Sequence, residues 1–397
     1  MGKELSLYVH IPFCERKCLY CDFLSFNVKR SVMDEYFHAL EKEIFLYGEK
    51  YGGYTVRSVF FGGGTPSFPD AELICHTLES IRESFRVPRD AEISIEVNPA
   101  SAMRDKLESF RNAGFNRLSI GAQSMNDEEL KKLGRLHDSV TFLETYENAR
   151  AAGFENINVD IMSALPGQSL DSYLETLEKV VRLRPSHISA YSLIVEEGTP
   201  FYDMELDLPD EDEDRAMYHE TGRILSENGY HRYEISNYAL GEGDSFECYH
   251  NKVYWQRGNY LGLGLGASSM AENVRWKNTD DLAEYISGLM EESVPAASEP
   301  ENTPFILPGI SRDIENLDKK SAMEEFMFLG LRLVKGISVS EFERQFGSDI
   351  RSVYGDVIEK YTSSGHLETV WEGDSEYLRL TDEGLDVSNT VMAEFLL

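Results

Sequence analysis

Positive charge is what this chain has least of. Lys and Arg number 38 against 70 Asp and Glu, a formal net charge of −32 at pH 7. Such a field repels phosphate backbones and excludes sequence-independent nucleic-acid binding unless a local basic groove overcomes it. Long hydrophobic runs are missing as well: no apolar stretch reaches the roughly 18 residues of a membrane-spanning helix. The opening Met1-Gly2-Lys3-Glu4 leads into a strand-like segment rather than a signal peptide's apolar core. The expectation is a cytoplasmic protein, not integral to a membrane. Cysteine is scarce too, and five residues without framework spacing exclude a disulfide-stapled secreted domain. What is present is globular: 397 residues, 42% hydrophobic and 11% aromatic, enough for one large domain and a smaller appendage.

Apolar periodicity predicts strands at residues 5–11, 58–61, 92–97, 117–122, 156–162 and 187–193. Helical patterns fall between them, at 31–51, 71–85, 103–113, 127–133, 139–152 and 170–183. About six β-α units call for a parallel sheet with helices outside, and six are too few for a closed eight-fold barrel. The fold expectation is therefore α/β, a partial (β/α)6 barrel over residues 1–235. An acidic run at 207–215 reads as the solvated start of a helix, where carboxylates meet the positive helix end. Residues 236–310 read as an aromatic and Gly-rich extension with a Pro-bearing linker at 293–310. Residues 311–397 read as three helices and a hairpin, a small winged-helix-like α+β domain. From residue 319 onward that domain has 8 Lys and Arg against 15 Asp and Glu, which disfavours DNA reading.

The strongest signal follows the first strand. Cys14, Cys18 and Cys21 have a Cys-x-x-x-Cys-x-x-Cys spacing on one loop. Three thiolates so close can hold three irons of a [4Fe-4S] cubane and leave the fourth open. An open iron can chelate the amino and carboxylate groups of S-adenosylmethionine, whose carbon–sulfur bond then breaks on one-electron reduction. A structural zinc wants four protein ligands, and His10 could supply the fourth only from within the strand. Cys75 reads as a small buried hydrophobe on a helix.

This loop resembles that of the radical S-adenosylmethionine superfamily, and Tyr8-Val9-His10-Ile11-Pro12-Phe13-Cys14 is similar to its HemN/HemW branch, which contains oxygen-independent coproporphyrinogen III oxidases and heme chaperones. The resemblance assigns Gly63, Gly64 and Thr65, in the run Gly62 to Pro66, to a backbone contact with the cofactor. It assigns Glu96, Gln123, Arg135 and Asp160 to polar positions around the cofactor, with Tyr8 and Tyr20 as further contacts. On successive strand ends these residues converge on one pocket.

Two departures separate the chain from the oxidases. Asp22-Phe23 follows Cys21 where HemN carries a further cysteine, and the chain begins almost at its first strand. His250-Asn251-Lys252-Val253-Tyr254-Trp255 matches the HNxxYW motif of the chaperone group. His250 offers an imidazole for heme iron, with Cys248 as an alternative soft ligand, and Tyr254 and Trp255 offer flat area to a macrocycle. The resemblance thus implies a heme chaperone with a [4Fe-4S] cluster, S-adenosylmethionine and heme. Its alternatives are an oxidase that decarboxylates porphyrinogen propionates, and a radical methylase or ring-opening enzyme acting on a tetrapyrrole. Heme-acceptor proteins, an electron donor and a second copy of the chain are the partners it brings into consideration.

Overall fold

The computed structural model describes residues 3–290 and 304–397. Six parallel strands form its centre in sequence order: β1 (Glu4–Ile11), β2 (Thr55–Gly63), β3 (Glu92–Val97), β4 (Arg117–Gln123), β5 (Asn156–Ser163) and β6 (His187–Ser192). Between them run α1 (Arg30–Tyr51), α2 (Ala71–Ser84), α3 (Arg104–Ala113), α4 (Asp127–Lys132), α5 (Ser139–Ala151) and α6 (Leu170–Leu183). Each helix presents a buried stripe to the sheet, such as Leu177, Val180 and Val181 of α6, because parallel strands need both faces covered. Capping defines the helix starts: Asp138 and Ser169 each accept a hydrogen bond from a backbone N–H of the first turn. The acidic run becomes α7 (Glu211–Glu227), capped by Asp210, with four carboxylates in its first turn.

The stretch after the six units is more regular than its sequence suggests. β7 (Tyr230–Arg232) and β8 (Asn237–Leu240) add antiparallel strands beyond β6. Past the short α8 (Tyr249–Trp255), β9 (Tyr260–Leu263) pairs parallel with β1 on the opposite edge. β10 (Ser268–Ala271), β11 (Val274–Asn278) and β12 (Ser311–Asn316) continue antiparallel, with α9 (Leu282–Met290) before β12, to complete a 12-stranded sheet. Strands this short, with glycine at 262, 264 and 266, have too little alternation to be read from periodicity. β12 belongs to the large sheet, so the C-terminal domain starts with α10 (Lys319–Gly330). Of the expected linker, residues 293–303 lie outside the described residues, while Phe305, Leu307 and Ile310 are core.

The C-terminal domain holds its own core around Met327, Phe342, Tyr354 and Phe395. It comprises α10, β13 (Ile337–Ser338), α11 (Val339–Phe346), α12 (Ile350–Ser363), the hairpin β14 (Leu367–Glu372) and β15 (Ser375–Leu380), then α13 (Asp382–Asp386) and α14 (Ser388–Ala393). Glu325 of α10 ties it to the barrel by accepting Arg257 at 2.9 Å, both side chains being about nine-tenths buried, and by pairing with Arg275. No helix among the described residues is long and apolar enough to cross a membrane.

Candidate cluster and cofactor site

The loop after β1 is pinned from several sides. Cys14 N–H donates to the Phe26 carbonyl at 3.0 Å, and Phe26 N–H to the Pro12 carbonyl at 2.8 Å. Leu19 N–H reaches the Leu133 carbonyl and Phe201 N–H the Leu19 carbonyl. A satellite core of Leu133, Met162, Leu165 and Phe201, with Leu19 and Tyr20 against it, seals the loop's far side. Cys14 is buried, and Cys18 and Cys21 are half-buried. All three thiols line one cavity of about 540 Å³ at the carboxyl ends of the strands.

That cavity also collects the residues assigned by resemblance: Tyr8, Tyr20, Gly63, Gly64, Thr65, Glu96, Gln123, Arg135 and Asp160. The glycines are there for space. A Cβ on Gly64 would stand 2.9 Å from the Phe13 carbonyl oxygen and 3.1 Å from Cys14 Sγ, and Gly63 has φ +113°. Thr65 Oγ1 lies 3.3 Å from Cys14 Sγ. At this edge the cavity therefore brings glycine backbone and one small hydroxyl up to the Cys14 thiol.

Polar groups face it from β3 to β5. Glu96 is the half-open residue in an otherwise buried stretch of β3. Burial, and secondarily the neighbouring Asp160, push its carboxyl up to about 8. Asp160 is raised too, again by burial, although Asn158 Nδ2 at 2.7 Å and the Ser119 hydroxyl at 3.1 Å donate to it. Gln123 has φ +65°, next to a register shift between β4 and β5. Strain and a bulge at a strand end re-aim its side chain toward the cavity. Arg135 donates through one terminal nitrogen to the Gly121 carbonyl at 2.7 Å and places the other 3.7 Å from Cys18 Sγ.

The donor set fits a cluster with an amphipathic cation-bearing ligand. Burial raises the Cys14 thiol and pushes Cys21 up to about 11, so cationic iron is what would hold these groups as thiolates. Among the described residues no three His, Cys, Asp or Glu side chains are drawn together around a single ion; a cubane takes each thiolate on a separate iron. The buried Nε of Arg135 has no partner.

The HNxxYW segment is α8, whose Tyr249 and His250 N–H groups donate to Glu92 at 3.0 and 3.1 Å. His250 is 2% exposed. Ser58 gives its own proton to Ser6, so the His250 ring donates Nδ1–H to Ser58 at 2.9 Å and accepts the Tyr254 hydroxyl at Nε2, also at 2.9 Å. Phe60 stacks on the ring at 5.1 Å between centroids, and burial together with the Arg117 charge lowers its pKa to about 3. His250 and Tyr254 line the cluster-side cavity; Trp255 lines a different one. Cys248 is fully buried at the N-terminus of α8, 3.6 Å from Glu92.

Sequence reasoning missed Ser58, Glu92 and Arg117. Arg117 is 2% exposed, lines the cavity and has an unpartnered Nε, with Glu92 and Asp160 as facing charges. A charged residue opening a buried apolar strand, as Glu92 and Arg117 do, is the signal that could have found them.

Comparison with known proteins places these features. Residues 8–180 match the model of the radical SAM superfamily, and residues 317–387 that of the HemN C-terminal domain. The chain is 33% identical to "Heme chaperone HemW" of Lactococcus lactis, over 100% of this chain and 98% of that one. It is 31% identical to the Escherichia coli protein of the same name, over 99% and 98%. A mouse relative, "Radical S-adenosyl methionine domain-containing protein 1, mitochondrial", is 32% identical, over 98% and 87%. In fold, the chain superposes on coproporphyrinogen III oxidase (HemN) from Escherichia coli with a TM-score of 0.82, covering 100% of this chain and 90% of that one at 24% identity.

Proposed function

The chain belongs to the radical SAM superfamily, in its HemN/HemW branch, and from that membership we propose that it is a heme chaperone. In this reading it binds a [4Fe-4S] cluster, S-adenosylmethionine and heme, and hands heme to acceptor proteins. Full-length similarity to proteins named heme chaperones carries the reading, and the convergence of three thiols and the polar strand-end residues on one cavity supports its cofactor side.

Cys14, Cys18 and Cys21 would hold the cluster. Gly63, Gly64 and Thr65 would approach the amino acid part of S-adenosylmethionine, and Glu96, Gln123, Arg135 and Asp160 would bind its polar groups, with Tyr8 and Tyr20 closing the sides. When bound, cluster and cofactor supply one-electron reductive cleavage of a carbon–sulfur bond. The chain's own part is to pin the Cys loop through the Cys14 and Leu19 backbone hydrogen bonds, to orient Glu96 through the Gly63 N–H, and to keep Arg135 beside Cys18.

Two assays on anaerobically reconstituted protein test the reading. Titration with hemin should give a saturable Soret band at one heme per chain; its absence removes the heme part. Incubation with coproporphyrinogen III, S-adenosylmethionine and a reductant should leave the porphyrinogen unchanged. Conversion to protoporphyrinogen would instead establish the oxidase reading, which the shared fold with HemN keeps in view.

A further inference from the structure

One rung of polar side chains crosses β4, β5 and β6 at the cofactor cavity. Ser119, Asn158 and His187 stand opposite one another in the register of the three strands, and Asp160, next but one along β5, shares their face of the sheet. Ser119, Asn158 and Asp160 line the cavity. His187 is fully buried, and nothing in the cofactor assignment uses it.

The protons of this rung follow from the acceptor at its end. Asn158 Nδ2 lies 2.7 Å from Asp160 Oδ1 and 2.7 Å from Ser119 Oγ. An ionised carboxylate only accepts, so Asn158 turns its amide nitrogen to Asp160 and its carbonyl oxygen to His187 Nδ1, 2.6 Å away. That oxygen also only accepts, so Nδ1 carries the ring proton and Nε2 is bare. The Tyr233 hydroxyl, 2.9 Å from Nε2, therefore donates to it, and accepts in turn the Cys248 N–H at 3.2 Å. Burial first, and the Arg117 charge after it, push the His187 pKa well below its ordinary value, so the ring stays neutral.

The bonds run one way, from the start of α8 to the carboxylate, and their effect falls on Asp160. Asn158 reaches Oδ1 and the Ser119 hydroxyl reaches Oδ2 at 3.1 Å, so both oxygens are held from the sheet and each keeps a lone pair for the cavity. Ser189 also donates to Asn158 Oδ1, at 3.0 Å. A hydroxyl rotates to donate or to accept, so it does not choose the amide's face; the His187 ring, clamped between Tyr233 and Asn158, does. Without the Nδ1 proton the amide is free to turn over, and its oxygen would then face Asp160, acceptor against acceptor.

We propose that His187 is a positioning residue for the cofactor, fixing the Asp160 carboxylate through Asn158 from behind the cavity wall. The proposal rests on the reading of this cavity as the S-adenosylmethionine site and adds a residue that no contact with the cofactor would reveal. It also ties Asp160 to the backbone at the start of α8.

The test measures S-adenosylmethionine affinity by equilibrium dialysis in full-length, cluster-reconstituted wild type, Asp160→Ala, His187→Leu, His187→Asn and Tyr233→Phe, with iron and sulfide content as the control. Asp160→Ala and His187→Leu should each bind about tenfold or more weakly, the size of one lost hydrogen bond to a charged group. His187→Asn, whose amide places an N–H where Nδ1–H stands, should recover most of that loss. Tyr233→Phe keeps the core filled and loses only the hydroxyl, so it should fold and bind several-fold more weakly. Nitrogen-15 NMR of histidine-labelled wild type should show a neutral ring protonated at Nδ1 that is absent from His187→Asn and becomes a mixture of tautomers in Tyr233→Phe. His187→Leu or Tyr233→Phe that binds as tightly as wild type would overturn the proposal, as would a His187 ring protonated at Nε2. Equal losses in His187→Leu and His187→Asn would assign the residue to packing and overturn it as well. Wild type that holds its cluster but binds no S-adenosylmethionine would instead remove the cofactor reading itself.

Discussion

Cys14 Sγ and Thr65 Oγ1 lie 3.3 Å apart across 51 residues of sequence. The contact joins the Cys loop after β1 to the glycine turn after β2, and Gly64 lies beside it with no room for a side chain. Gly64→Ala puts a methyl against the Phe13 backbone and the Cys14 sulfur. The expected outcome is a folded protein with low iron and sulfide content, measured by chemical analysis and visible absorption after reconstitution. Cys14→Ala, Cys18→Ala and Cys21→Ala should each lose the brown chromophore altogether. A variant of these three with full iron content would contradict the cluster assignment.

Glu96 separates cluster binding from cofactor binding. It touches none of the thiols, yet it lines their cavity and takes the Gly63 N–H. Replacing it by Ala removes an acceptor for the cofactor, and bonds to a charged group contribute about 1.5–3 kcal/mol. S-adenosylmethionine affinity in equilibrium dialysis should fall by roughly tenfold or more, with iron content retained.

The two domains are joined by a buried charge. Removing Glu325 leaves Arg257, about nine-tenths buried, without its carboxylate. Breaking one side of such a pair costs about 3–5 kcal/mol. Glu325→Ala should therefore unfold at lower denaturant concentration, and limited proteolysis should cut near residue 317 before it cuts the barrel.

Glu43 of α1 brings a pH dependence. It is fully buried and accepts the Gly264 N–H, the Tyr285 hydroxyl and the Asn278 amide, but burial outweighs these donors and pushes its carboxyl up to about 7. Its folded pKa lies above the ordinary 4.5, so the folded state holds the proton longer than the unfolded chain. That contribution is present in full below about pH 4.5 and is lost as pH rises toward 7, at up to about 1.4 kcal/mol per unit. Denaturant titrations of wild type and Glu43→Gln should show a stability difference that moves in favour of the variant from pH 5 to pH 8.

The legible parts of the molecule were those with a period or a spacing. The six central units have strands whose apolar residues recur at every second position or in short runs, as in Ile93, Ile95 and Val97 of β3, and striped helices, and the acidic run at the start of α7 has a helix end to complement. The Cys spacing and the glycine run indicated the cluster loop because their chemistry is local. Long-range features were not legible. β9 to β12 are short strands whose place in the sheet depends on pairing with β1, far away in sequence. Arg117 and Glu92 looked like ordinary charges at strand starts, and only the fold turns them inward beneath α8. The HNxxYW run looked like one surface, but a helix of seven residues turns His250 and Trp255 to different cavities.

The central claim is that this chain carries heme to other proteins. It is tested most directly by mixing heme-loaded, cluster-containing protein with an apo heme enzyme in the presence of excess heme scavenger, and following the acceptor's spectrum and activity. The account predicts that the acceptor becomes active faster than it does with free heme under the same scavenger. Activation no faster than with free heme, from a protein shown to be loaded, would contradict it.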